Sequence, residues 1–406
     1  MPLPSRSNAV RIGIGVALAA LWAVAAYFLW RSAVPGNLDL PSIDEDEYFS
    51  GEALDRADDY ALFLRINFIL SQVALVAALA VYAWRGARFA RESAAGRIGT
   101  GMLLGMIGLA LVWLVQVPFG LAGHWWDRRH DVTEIGYFEW AATTYFGLGF
   151  AFLFISLAIL IVMALAAVTR EYWWALGAPV FVGLALLFAF AFPYLVPDLH
   201  RIEDPQIAAD ARELAEAQRV EDIPVRVETV SDVTSAPNAG AAGIGPSRRV
   251  ILWDTLLTGP FERDEIRFVL AHEFAHHSRS HIWKFLAWYA LFAVPGVFIV
   301  ARVTRRRGGV YEARAIPLAL FVVVVLQLLA LPLLNVIGRH AEAEADWVGL
   351  ETTREPDGAR DLFRHFTTEG LADPTPPGWS YFLMDTHPSI AERIAMANAW
   401  EALQEP

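Results

Sequence analysis

The chain has 406 residues, and 56% of them are hydrophobic. Its mean hydropathy is positive and its formal net charge is -12. This composition indicates an integral membrane protein, because a soluble protein would have to bury several apolar runs of about 20 residues in one core. The acidic balance argues against nucleic acid as a partner, since phosphate binding requires basic surface. The absence of cysteine excludes disulfides, thiolate zinc ligands and a cysteine nucleophile.

The first predicted element is an apolar run over residues 12–30, preceded by Arg6 and Arg11. The run is long for a signal peptide and no small-residue cleavage site follows it, so we expect an uncleaved membrane span. An acidic loop covers residues 31–60. Four further spans are predicted at residues 62–84, 101–122, 144–168 and 173–196.

Several of these spans carry polar side chains, among them Arg65, Asn67, Gln72 and Gln116. Polar groups are costly in hydrocarbon, so we expect them to line a wet cavity or to hydrogen-bond between helices. The two interpretations are left open by the sequence.

The composition becomes polar after Pro197, and residues 204–217 have the pattern of an amphipathic helix. Residues 225–229 alternate as a half-buried strand does, and residues 250–253 form a second predicted strand. The edge of this small sheet could bind an extended peptide at Asn238 and Ala239 by strand addition. The same stretch could equally be only a turn.

The most informative stretch reads Ala-His-Glu-Phe-Ala-His-His over residues 271–277. In a helix, the four-residue step from His272 to His276 directs both imidazoles to one face and towards one metal ion. Glu273 then lies about 100° round the helix, beside the metal. This is the His-Glu-x-x-His arrangement of zinc proteases, in which the carboxylate accepts a proton from the attacking water. A surface helix with satisfied histidines is the alternative.

The same segment offers no third ligand. The extended metalloprotease pattern requires glycine at position 279 and histidine at position 282, where the chain has Arg279 and Ile282. On a continuous helix His281 would lie about 140° round from His276, on another face. The third ligand is therefore expected further along the chain.

Two more apolar runs follow, at residues 282–301 and 315–337, and each can cross about 30 Å of hydrocarbon. They bring the total to seven spans and return the chain to the side of the zinc motif. There the sequence offers Glu342 and Asp346 on one helix face, with Glu344 about 200° away from Glu342. We assign Glu342 as the third zinc ligand and Asp346 as an acceptor that orients a ligand imidazole. A solvated acidic helix is the alternative.

The rest of the chain is a second soluble piece. Residues 361–369 are predicted to be helical, residues 373–378 form a loop, and His387 with Pro388 opens a last helix. Four domains are expected. Five membrane helices occupy residues 1–197, and a soluble segment with the small sheet and zinc helix occupies residues 198–281. Two membrane helices occupy residues 282–337, and a C-terminal part that completes the zinc site occupies residues 338–406.

Taken together, these motifs resemble the type I CAAX prenyl protease family, membrane zinc endopeptidases that trim prenylated proteins. The resemblance includes the spans, the zinc motif, Glu342 with Asp346, and Asn238 before the second strand. It implies a mainly α integral membrane fold, with seven transmembrane helices around a chamber and a small α+β zincin-like catalytic domain. It also implies that His387 stabilises the oxyanion and that Arg393 positions His387 or the substrate. His277 departs from the family, which usually has an aromatic residue there.

The distribution of arginine bears on orientation. Twelve arginines of the short loops and the N-terminal tail fall on one side of the predicted membrane and four on the other. The positive-inside rule then puts the N-terminus in the cytoplasm and, five crossings later, the zinc site outside. Eukaryotic members of the family are understood to have the site facing the cytosol, so either the orientation or the number of spans differs.

The sequence therefore predicts a zinc-dependent membrane endopeptidase with one zinc ion per chain, bound by His272, His276 and Glu342. Its expected partners are the bilayer and a peptide or protein substrate, prenylated or not, in the plasma membrane of a bacterium. The alternative is a non-catalytic transporter or lipid-binding chamber with a structural zinc. That alternative requires no carboxylate at Glu273, so the presence of Glu273 favours the enzyme.

Overall fold

A computed structural model describes residues 6–91 and 95–404; the outermost ends of the predicted domains, residues 1–5 and 405–406, lie outside this range. Within the described residues, the α-helices are α1 (Arg6–Leu29), α2 (Glu45–Tyr48), α3 (Gly51–Arg85), α4 (Gly96–Arg129), α5 (Tyr137–Thr169), α6 (Trp173–Leu195), α7 (Pro205–Ala217), α8 (Asp254–Thr258), α9 (Arg263–Ser278), α10 (His281–Thr304), α11 (Ile316–Thr353), α12 (Pro356–Thr368), α13 (Gly378–Met384) and α14 (Ile390–Ala402). The strands are β1 (Leu199–His200), β2 (Val225–Glu228), β3 (Ala239–Ala242) and β4 (Arg249–Trp253).

Long helices occupy all seven predicted spans, namely α1, α3, α4, α5, α6, α10 and α11. By length and composition, five stretches of the described residues could cross a membrane, and one of them, Phe152–Leu195, contains most of α5 and all of α6. The apolar part of α1 that can be judged, Gly15–Leu29, is shorter. The predicted class, a mainly helical integral membrane protein with a small sheet, is confirmed.

Helix α11 is continuous from its apolar membrane segment to the acidic motif at Glu342 and Asp346. Its 38 residues run from the last predicted span into the acidic motif, so Glu342 and Asp346 belong to the same helix as the membrane segment. Gly108 of α4 allows the α11 side chain of Leu320 to pack closely against it, because a Cβ at that position would collide with Leu320. The membrane bundle thereby fixes the position of the acidic motif.

The polar residues of the spans form hydrogen bonds between helices and also line a cavity. Asn67 of α3 donates to the carbonyl of Phe119 in α4 at 3.0 Å, and Gln116 donates to the carbonyl of Ser71 at 3.1 Å. The same amides line a cavity of about 590 Å³ between the two helices. This cavity also reaches the segment that leads to β3, through Val233 and Thr234.

The sheet has the strand order β1-β2-β4-β3. Strands β2 and β4 lie where the sequence predicts them and pair in parallel. Strand β3 pairs antiparallel with β4, with Ala239 opposite Leu252, and forms one edge of the sheet. The sequence did not predict β3, because Ala-Gly-Ala-Ala contains no β-branched or aromatic residue.

Helix α9 lies at the centre of the soluble core. It packs against α7, α11 and α12 and against the sheet, and its side chains Phe268, Leu270 and Phe274 are fully buried. Burial of each such side chain contributes about 1.5–3 kcal/mol. The zinc motif therefore lies on a buried helix and not on a surface helix.

Candidate metal centre and active site

Helix α9 begins with a capping box, in which the backbone N–H of Glu262 donates to the Glu265 carboxylate. The helix is regular through both motif histidines and ends at Ser278. Regular helical geometry puts His272 and His276 on one face, with their ring centroids 4.9 Å apart.

Three side chains from α9 and α11 converge at this face. The Nε2 atom of His272 lies 3.1 Å from Nε2 of His276 and 3.1 Å from Oε2 of Glu342, and Nε2 of His276 lies 3.6 Å from Oε1 of Glu342. Nitrogen and oxygen ligands at about 2.1 Å from a tetrahedral zinc ion are separated by about 3.4 Å from one another. The three groups thus have the spacing of zinc ligands.

The hydrogen bonds around the two imidazoles also fit a cation. Nδ1 of His272 faces Asp346 at 2.9 Å, and Nδ1 of His276 faces His281 at 3.0 Å. If both Nδ1 atoms carry the proton, the two Nε2 lone pairs face each other, an arrangement that a cation between them stabilises. Oε2 of Glu342 is buried and makes no hydrogen bond of acceptable geometry to any residue that the structure describes. A metal ion satisfies all three atoms at once.

The electrostatics of the site also favour a bound cation. Burial disfavours the protonated form of His272, but the hydrogen bonds and negative charges of Asp346 and Glu342 outweigh it and raise the pKa of His272 to about 10. The site therefore attracts positive charge at Nε2 strongly, as either a proton or a metal ion.

Glu273 lies on α9 beside the convergent groups and is buried. Burial raises the pKa of its carboxyl group above the ordinary value, although the neighbouring His276 and His272 oppose the shift. A carboxylate with a raised pKa is a better proton acceptor near neutral pH than an exposed one.

Asp346 joins His272 to Arg393. Its carboxylate accepts two hydrogen bonds from the Arg393 guanidinium, at 2.8 Å and 2.7 Å, in addition to the contact with His272. Both residues of this ion pair are buried, and the guanidinium stacks 4.2 Å from the ring of Phe363. Arg393 thus contacts Asp346 directly, and its role in positioning His387 or the substrate stays a prediction.

His387 also reaches the convergent groups. Its Nε2 atom lies 3.3 Å from Oε2 of Glu342, and 56% of its side chain is exposed. The last helix begins at Ile390 with Ser389 as its N-cap, so the expectation that His387 and Pro388 open this helix was wrong: both precede it. Ser389 caps the helix better because its hydroxyl accepts the N–H of Glu392.

Asn238 and Ala239 lie at the start of β3, on the sheet edge. The Asn238 carbonyl accepts the N–H of Trp253 at 3.0 Å, which ties this segment to β4. Asn238 lines a cavity of about 550 Å³ together with His387 and Arg393.

His277, the departure from the family pattern, connects the zinc helix to the sheet. Its Nε2 lies 3.1 Å from the carbonyl oxygen of Arg249 in β4. Burial lowers the pKa of His277 to about 4, so the ring is neutral and donates this hydrogen bond. A histidine in this position fills the space of an aromatic ring and adds one polar contact.

The structure brings two residues to the site that helical periodicity places on other faces, His281 and Glu344. The angle of 140° between His276 and His281 applies only to a helix that continues past His276. Helix α9 ends at Ser278, and Ser280 has a left-handed backbone with φ of 59°. This turn brings His281 back against His276. No glycine or proline marks the turn, so the sequence carried no signal for it.

Comparison with known proteins places this site in a family. The model of peptidase family M48 matches residues 201–401. An uncharacterized metalloprotease, YhfN of Bacillus subtilis, is 26% identical over 306 residues, which are 72% of each chain. A protease HtpX homolog of Kineococcus radiotolerans is 29% identical over 268 residues, which are 60% of this chain and 85% of that relative.

The fold has a counterpart among solved structures. The crystal structure of S. mikatae Ste24p superposes with a TM-score of 0.70 at 16% identity and covers 93% of this chain and 96% of that one. At this identity the likeness shows the fold alone, and the fold expected from the resemblance to type I CAAX prenyl proteases is confirmed. Residues 201–401 thus belong to peptidase family M48, and the chain is a multi-pass membrane metalloprotease.

Proposed function

We propose that the protein is a zinc-dependent endopeptidase in which His272, His276 and Glu342 hold one zinc ion and Glu273 is the general base. The observation that carries this proposal is the convergence of the three ligand atoms within 3.1–3.6 Å of one another, next to a buried carboxylate. The three groups would hold the metal, and Glu273 would serve as the proton acceptor beside it.

A zinc ion held by His272, His276 and Glu342 would supply Lewis-acid chemistry, for polarising the scissile carbonyl and making a water molecule more acidic. Glu273 accepts the proton of the attacking water and delivers it to the leaving amine nitrogen. The imidazole of His387 donates a hydrogen bond to the carbonyl oxygen as negative charge develops there. Asp346 and Arg393 hold His272 in the tautomer that leaves Nε2 free.

The surroundings of the site favour a substrate that is attached to the membrane. The cavity beside Asn238 and His387 is also lined by Tyr60, Leu64 and Arg65 of α3, a helix that continues into the membrane. We infer that an extended peptide pairs with the edge at Asn238 and Ala239 while the rest of the substrate stays near the bilayer. A membrane-associated protein or a prenylated-type C-terminal peptide fits this arrangement.

The metalloprotease family match favours this enzyme over a non-catalytic transporter or lipid-binding chamber.

Two measurements on the purified protein test the proposal. Elemental analysis is expected to find one zinc per chain in the wild type and little in Glu342→Ala, while Glu351→Ala, a change of an exposed carboxylate on the same helix, keeps it. Cleavage of one peptide with and without a prenyl group tests the substrate class. Full cleavage by zinc-free protein would contradict the zinc mechanism, and equal rates for both peptides would contradict prenyl recognition.

Replacing His387 by alanine is expected to lower kcat by about 10²- to 10³-fold, because one donor to the developing oxyanion is lost. Zinc content should be unchanged, since His387 is not among the three convergent ligands. Steady-state kinetics and metal analysis on the same preparation provide the measurement. His200→Ala, a change of an exposed histidine in β1, is the control. A His387→Ala variant that keeps wild-type kcat would exclude the proposed role.

We further propose that the protein lies in the plasma membrane of a bacterium with the site outside, in line with the twelve-to-four distribution of arginine. The absence of native cysteine allows a direct test with single cysteines. On intact cells, an impermeant thiol reagent is expected to label Gly378→Cys, near the site, and to miss Arg306→Cys in the arginine-rich turn at the opposite end. The reverse labelling would establish a cytoplasmic active site.

A further inference from the structure

His281 and Glu344 form a buried chain of contacts that ends at a proposed metal ligand. Neither residue is more than 1% exposed. Nδ1 of His281 lies 3.0 Å from Nδ1 of His276, and Nε2 of His281 lies 3.0 Å from Oε2 of Glu344. Neither residue belongs to the groups that converge on the metal position.

The contacts admit one consistent assignment of protons. The Glu344 carboxylate is an acceptor, so Nε2 of His281 is the donor to it. A neutral His281 then accepts at Nδ1, and the proton in that contact belongs to Nδ1 of His276. Nε2 of His276 consequently keeps its lone pair, which points towards Nε2 of His272 and Glu342.

Four hydrogen-bond donors hold the Glu344 carboxylate. Besides His281, it accepts hydrogen bonds from Arg279 at 2.7 Å, from Lys284 at 2.8 Å and from the backbone N–H of Ala33 at 3.0 Å. The two cations compensate its charge, and their exposed fractions of 42% and 22% let them stay partly hydrated. Glu344 is thus a fixed anchor for the His281 ring.

The arrangement mirrors the support of the other histidine. His272 is held through Nδ1 by Asp346, whose charge is balanced by Arg393, and His276 is held through Nδ1 by His281, which Glu344 anchors. Partners of this kind fix the tautomer and ring orientation of a metal-binding histidine.

We propose that His281 and Glu344 act as one orienting arm that positions His276 for zinc. This inference rests on the proposed role of His276 as a ligand. Both are positioning residues, since neither contacts the substrate or the metal position. They strengthen zinc binding by holding the ring in the geometry and tautomer that binding requires.

The test is zinc affinity, measured on the purified full-length protein by competition with a chromophoric chelator. His281→Phe keeps an aromatic ring beside Phe285 but has no acceptor for His276, so zinc affinity is expected to fall by about 10- to 100-fold. His281→Asn can offer Oδ1 where Nδ1 stood, and its affinity should lie between those of the wild type and His281→Phe. Thermal unfolding of the metal-free proteins reports whether each variant is folded.

A double-mutant cycle tests whether the two residues act together. Glu344→Gln alone is expected to weaken zinc binding, but the same change in the His281→Phe background should add less than twofold, because the arm is already broken. His365→Phe is the matched control: His365 also forms a histidine–glutamate pair, 2.6 Å from Glu265, but away from the convergent ligands. Its zinc affinity should equal that of the wild type.

The outcomes separate this inference from the proposed function. Wild-type protein that binds no zinc would refute the proposed function. Zinc binding that depends on His276 but is unchanged in folded His281→Phe and His281→Asn would overturn the arm alone. Fully additive losses in the cycle would overturn the claim that His281 and Glu344 act as one unit.

Discussion

Replacing Glu273 by glutamine is expected to lower kcat by about 10²- to 10⁴-fold while zinc stays bound. Glutamine has nearly the shape of glutamate but cannot accept the proton of the attacking water, so the loss falls on the chemical step. Such a loss corresponds to about 3–5 kcal/mol in the activation free energy. The three convergent ligand atoms are not altered, so metal content should match the wild type.

The measurement combines steady-state cleavage of a fluorogenic peptide with metal analysis of the same preparation. Glu213→Gln is a suitable control, because it makes the same chemical change on an exposed carboxylate of α7, 67% of whose side chain is accessible. We expect this control to retain both zinc and activity. If purified Glu273→Gln cleaved peptide at the wild-type rate, Glu273 could not be the base and the mechanism proposed here would fail.

The sequence allowed prediction of those features that lie within one regular helix. The step from His272 to His276 and the step from Glu342 to Asp346 both repeat every four residues, and α9 and α11 are continuous through them. Helical periodicity alone then fixes which side chains share a face. The membrane spans were equally accessible, because the hydrocarbon thickness sets their length.

Features that depend on a change of backbone direction were missed. The turn at Ser280 brings His281 to His276, but serine in a left-handed conformation has no sequence signature comparable to glycine. Strand β3 is stabilised by pairing with β4, which its own small residues do not reveal. The contacts of Glu344 come from two separate parts of the chain, residues 279–284 and Ala33 in the acidic loop, and no local pattern predicts such contacts.

The second large effect is expected for Asp346→Ala. This change removes the acceptor for Nδ1 of His272 and leaves the buried guanidinium of Arg393 without its partner. Loss of one member of a buried ion pair costs about 3–5 kcal/mol, so the metal-free protein should unfold at a clearly lower temperature. Zinc affinity should fall by about 10- to 100-fold, because His272 is no longer held in its ligand orientation.

Asp346→Asn separates the two effects. Asparagine keeps one oxygen that can accept a hydrogen bond from His272 but loses the charge that balances Arg393. Its zinc affinity should therefore fall less than that of Asp346→Ala, while its unfolding temperature should still be lower than that of the wild type. Thermal unfolding and chelator competition distinguish these contributions when measured on both variants and on a control, Glu216→Ala, which removes an exposed carboxylate of α7. Asp346→Ala with wild-type zinc affinity would mean that His272 needs no support through Nδ1. Because His276 has the corresponding support from His281 and Glu344, the same result would also weaken the case for that arm.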